Sequence, residues 1–224
     1  MTGSGSNGAP DDPFEMFDEE LEAQWEAEWE EADRAAVDLL REALSEHVGA
    51  PPPAALEEGA SAARARLAET GQPSAWVRRA AGLDGKPLPD DDAELLIRCT
   101  AATISPEEET GLDIEEEAMI GSLQQADWLG AIISVVREGP RADARPRSLV
   151  EGILSCPEIE TDDDFDEDDA YHIETAFGIV ALPWHVLGLT DSDDRLTPVG
   201  EWVLPRALAR AWRGDFDEAP AGGP

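Results

Sequence analysis

The chain has 224 residues and a mass of 24.1 kDa, enough to bury one sizeable core or two modest ones. Sixteen Lys and Arg stand against 51 Asp and Glu, a formal charge of −35, which argues against phosphate-backbone binding through basic side chains and against docking on anionic membranes. A hydrophobic content of 42% fits a globular protein rather than a disordered one. The single lysine, Lys86, among so many arginines fits high-GC coding bias, and the acidity would also suit a saline habitat. Cys99 and Cys156 are too few for a disulfide framework. The first residues carry no basic region and no apolar run of the secretory kind, and residues 128–136 and 176–189 are too short or interrupted to span a bilayer, so a cytoplasmic location is expected.

In chain order, residues 1–13 hold little to bury and are expected to be a disordered polar tail. From Phe14 onward Phe17, Leu21, Trp25 and Trp29 recur every four residues, and Ala32, Ala36, Leu40 and Leu44 extend the stripe to about Val48. This predicts a long amphipathic acidic helix that Gly49 and Pro51–Pro53 stop, with 12 acids and no base before Arg34. A second helix is expected over 53–69, a short apolar element over 76–81, and a turn-rich tongue over 82–89. Asp90–Asp92 should cap a helix over 93–100. Residues 104–117 read as an acidic loop. The stretch 119–137 reads as one helix with Ile120, Leu123, Ala126, Leu129, Ile132, Ile133 and Val136 buried. Arg137, Arg141, Arg145 and Arg147 form the only dense basic cluster, ahead of a short helix over 149–154. Residues 158–169 then carry nine acids and no base. A helix over 170–182 should end before Pro183, and a final amphipathic helix should follow Thr197-Pro198, with 214–224 a disordered tail.

The segment LGLTDSDDRLTPVGEWVLPRALARAW resembles the closing half of a bacterial winged helix. In that likeness Leu187-Gly188-Leu189 enter the wing, Asp191–Asp194 form its tip, Arg195–Pro198 return, and Val199–Trp202 open the last helix. Trp76-Val77 through Gly85-Lys86-Pro87-Leu88 resembles a fainter, degenerate copy of the same pattern. The resemblance implies a mainly α-helical chain: a helical domain over 14–118, with a degenerate wing as one reading of it, and a winged-helix-like domain over 119–213 with an acidic insertion at 158–169. Winged helices commonly read DNA through a basic helix and a basic wing. Here the matching helix follows TDDDFDEDD and the wing tip is Asp-Ser-Asp-Asp, so direct nucleic-acid binding is not expected.

No motif specifies a reaction. An EF-hand register starting at Asp162 or Asp164 fails at the turn glycine and at the bidentate glutamate. His47, His172 and His185 lack metal-ligand spacing, and no nucleophile elbow, Walker loop or dinucleotide fingerprint is present. No metal, cofactor or catalytic residue is therefore expected. His185 should lie in the core or at a strand edge, and Trp76, Trp128, Trp184, Trp202 and Trp212 should be core. The acidic-aromatic stripe of Phe14, Phe17, Leu21, Trp25 and Trp29 either packs on its own domain or docks in a groove of a partner. Asp162, Asp163, Asp164, Asp166 and Asp168 are further candidates for partner contact. The Arg137–Arg147 cluster could hold an acidic segment of its own chain or an anionic ligand. The sequence thus points to a non-enzymatic interaction or regulatory protein that meets a basic partner, the alternative being a DNA mimic whose carboxylates stand in for phosphates.

Overall fold

The computed structural model describes residues 38–39, 42–159 and 165–212. Residues 42–48 are helical, and eight further helices follow among the described residues: α1 (Leu56–Leu67), α2 (Ser74–Ala80), α3 (Asp92–Ile104), α4 (Ile114–Gly121), α5 (Gln125–Glu138), α6 (Pro146–Ser155), α7 (Glu167–Leu187) and α8 (Pro198–Ala211). The protein is mainly helical, and no helix among the described residues is long and apolar enough to cross a membrane. The expected stripe from Phe14 to Trp29 and the residues Asp162–Asp164 lie outside the described residues.

Local chemistry sets most boundaries. Asp91 accepts the Glu94 backbone N–H at 2.7 Å and starts α3. Asp113 and Glu116 form a capping box at α4, and Asp166 and Asp169 form another at α7. Thr197 Oγ1 accepts from Gly200 N–H at 3.0 Å, with Pro198 in the first turn of α8. Two sequence expectations are corrected by such signals. The single helix expected over 119–137 is split at Ser122–Gln124, where Asp127 Oδ2 accepts the Gln124 N–H at 2.9 Å and restarts the chain as α5. Ala126, expected on the buried side, consequently faces solvent. Pro183 does not end α7. The helix runs through it to Leu187, so Leu187 is helical rather than extended, and Gly188, at φ 74°, stops it. There Leu189 N–H reaches Trp184 O at 2.9 Å and Gly188 N–H reaches His185 O at 3.1 Å, a Schellman cap.

One hydrophobic core spans Ala43 to Trp212, within a compact unit that begins at Leu39. Helix α3 lies against α8, α5 against α6, and α7 touches α1, α3, α4 and α6. The boundary expected between 118 and 119 therefore falls inside a continuous core. Cross-links at its centre are specific. Trp184 Nε1 donates to Thr103 Oγ1 at 3.3 Å, joining α7 to α3, and Trp128 meets Phe177 edge-on at 5.3 Å, joining α5 to α7. Arg210 holds Glu94 with two contacts of 2.8 Å, tying α8 to α3. Of the five tryptophans expected in the core, Trp76, Trp128, Trp184 and Trp212 are buried, whereas Trp202 is half-buried beneath the Arg206 guanidinium, 3.9 Å from its ring centre.

Candidate functional site

Strand-type pairing is limited, among the described residues, to two isolated antiparallel bridges, Asp143 with Arg195 and Thr190 with Leu196. They lay three segments side by side. Arg141 N–H donates to Leu196 O at 2.7 Å, Leu196 N–H to Ala142 O at 2.9 Å, and Thr197 N–H to Leu189 O at 2.9 Å. The tip between them is organised by Asp191, whose Oδ1 accepts the N–H groups of Asp193 and Arg195 at 2.9 and 3.0 Å, and those bonds hold its carboxyl below the usual range. The order is thus helix, bridged segment, helix, helix, bridged turn, helix, from α5 to α8. By contrast the tongue at 82–89 takes part in no bridge among the described residues, and Trp76 and Val77 before it belong to α2.

The solvent side of α7 continues from this turn. Its first turn exposes Glu167, Asp168 and Asp169 after the exposed cap Asp166, and farther along Tyr171, His172, Glu174, Leu182 and His185 are exposed. Acids suit a helix N-terminus, where free N–H groups carry partial positive charge. Asp168 stands on this surface as a candidate contact, while Asp166 is also the structural cap. His185, expected in the core or at a strand edge, is an exposed helical residue whose Nδ1 lies 3.3 Å from Asp191 O; the helix extends past Pro183 and turns position 185 outward. His172 is exposed as well, with Nδ1 2.7 Å from Asp168 O.

The arginine cluster is held by the chain's own carboxylates. Arg137 makes two contacts with Glu158, the opening acid of the 158–169 run, and draws its carboxyl down to about 2, helped by the Cys156 thiol that donates to Oε2 at 3.2 Å. Arg145 chelates Asp143, which also faces Arg195 at 3.6 Å, and the Asp143 carboxyl falls to about 2, chiefly through Arg145. Arg147 meets Glu151 at 3.3 Å one helical turn on. Arg141 is exposed on the bridged segment with φ 78°. Three of the four members of the cluster thus form ion pairs with carboxylates of the same chain.

A cleft that the sequence does not announce lies elsewhere, between α2, α3, α4 and α5. It has a volume of about 320 Å³, with Trp76, Trp128, Ile104, Leu112, Ile120 and Leu123 in its walls and Glu108, Glu109 and Glu117 among its polar lining. Thr110 Oγ1 donates to Glu117 and accepts from Leu112 N–H at 3.2 Å, which fixes the lip. The signals were present: an Asp-x-x-Glu capping box at 113–116 splits the acidic stretch into a lip and a helix. Both tryptophans, however, read simply as core. Among the described residues no group of three or more His, Cys, Asp or Glu is arranged around a metal position. Compared with known proteins, the chain matches no family model, no curated protein and no solved structure.

Proposed function

We propose that this chain is a non-enzymatic, acidic interaction protein that uses a winged-helix-like scaffold, α5 to α8, to contact a basic protein rather than to read DNA. The observation that carries the reading is the charge of the exposed residues of α7 and of the bridged turn. Asp166, Glu167, Asp168, Asp169, Glu174, Asp191 and Asp193 are exposed there, while Arg145 and Arg195 nearby are both engaged by Asp143. A DNA-reading helix and wing need the opposite sign, because affinity comes from cations displacing counterions from phosphates. Carboxylates instead steer a basic partner and raise its association rate. The aromatic stripe of Phe14, Phe17, Leu21, Trp25 and Trp29 would add apolar contact, a proposal resting on the sequence alone.

DNA mimicry is the second reading. It is favoured by one feature: Asp166 to Asp169 are not a slack loop but a capped helical turn, in which cap hydrogen bonds hold the Asp166 and Asp169 carboxylates. Affinity capture from a native lysate at low salt tests both. The expected result is retention of a basic protein that is lost with Asp166→Asn/Glu167→Gln/Asp168→Asn, in which Asn preserves the cap. Release of that protein by duplex DNA would favour mimicry. Retention of nucleic acid itself, or of the same protein by the variant, would contradict the proposal.

A further inference from the structure

The cleft walled by Trp76 and Trp128 has three properties that together describe an occupant. Its volume of about 320 Å³ is at the lower end of ligand sites, which run from about 300 to 1,000 Å³. Its walls are mainly aromatic and aliphatic, so the seated group is apolar. Its edge is anionic: Glu109 has no ion-pair partner among the described residues, and Glu108 has only a distant, exposed one in Lys86 at 3.5 Å. Independently, Trp76 is 2% exposed and lines this cleft, yet its Nε1–H is buried without a hydrogen-bond partner. A buried donor left unpaired is costly. Two residues beyond the wall residue Leu112, Ile114 is 83% exposed.

We propose that this cleft seats an apolar side chain from a basic segment of a partner protein. The Lys or Arg flanking that side chain meets Glu108 and Glu109. The inference rests on the reading of the chain as a receptor for basic partners, and it adds a second surface that no α7 residue lines. The occupant is a peptide segment because the anionic edge and the apolar walls match the two things a basic peptide offers side by side, charge and an apolar side chain.

Panning a random peptide library displayed on phage against the immobilised full-length protein tests this. The winning peptides are then measured on Gly121→Phe and on Glu108→Gln/Glu109→Gln. Gly121 lines the cleft and a Cβ there meets no atom within 4 Å, so the new ring has open space in which to obstruct the cleft. The expected result is enrichment of an apolar residue flanked by Lys or Arg, with affinity falling at least tenfold on both variants while their thermal unfolding matches the parent. If Gly121→Phe loses stability, the double glutamine variant decides. Basic peptides that bind both variants undiminished would overturn the cleft and leave the basic-partner reading standing. Enriched peptides without Lys or Arg would overturn the cleft as a seat for a basic segment, and a library that yields no binder would overturn it as a peptide seat.

Discussion

Arg206 illustrates how a side chain can serve as the end of a helix. Its guanidinium donates to Val48 O and, at 2.6 Å, to Ala50 O, while Trp202 Nε1 donates to Ala50 O at 3.0 Å; together they satisfy carbonyls left open where the helix through 42–48 stops. Arg66 does the same for α7, reaching His185 O and Val186 O at 2.9 and 3.1 Å. Arg206→Ala should therefore cost about 2 kcal/mol in chemical denaturation, the scale of hydrogen bonds to a charged group, with faster amide exchange at 42–50. Gly200 makes a sharper case. A Cβ there would stand 2.2 Å from Leu189 O, so α8 can approach the bridged turn only without a side chain. Gly200→Ala should destabilise by about 1–3 kcal/mol in the same measurement, whereas Gly71→Ala, which meets nothing, should stay within about 0.5 kcal/mol.

Among the elements, the bridged segment 141–144 depends on charge. Asp143 and Glu158 both have folded carboxyls near 2, against unfolded values of about 4. Because the folded values are depressed, the stabilisation is complete above pH ~4 and is lost as pH falls from about 4 towards 2. Asp143→Asn/Glu158→Gln should accordingly flatten the drop in thermal midpoint between pH 4 and 2, a comparison read by circular dichroism. The elements also show what a sequence can reveal. The caps at Asp91 and Thr197 are legible because each is a short-range pattern of an acceptor before a helix, whereas α7, expected from 170, starts at Glu167 behind the Asp166 cap. The run of α7 through Pro183 is not legible. A proline costs a helix about 3 kcal/mol, but burying Trp184 and Leu187 beyond it returns about 2 kcal/mol each, and that packing depends on α3, far away in sequence. The same distance hides the cleft, since Trp76 and Trp128 meet only in the fold.

At the scale of the molecule, one sign of charge dominates, and its cations go to internal duties: Arg64, Arg66 and Arg206 on backbone carbonyls, Arg137, Arg145 and Arg210 on carboxylates. The exposed charge is mainly acidic, on α7 and the bridged turn and also over 107–117. Such a surface should bind its partner quickly at low salt and lose affinity as ionic strength rises. Phe17→Ala/Trp25→Ala/Trp29→Ala should then separate steering from apolar contact: a slower association rate is not expected, whereas faster dissociation is, if the amino-terminal stripe docks on the partner. Surface plasmon resonance with the captured partner reads both rates. The most direct measurement is a hydrogen-exchange footprint of the full chain with that partner bound. Slowed exchange over 166–174 and 190–195 is predicted, and no such protection from duplex DNA alone. Protection absent from both stretches in the complex, or produced there by DNA, would contradict the account.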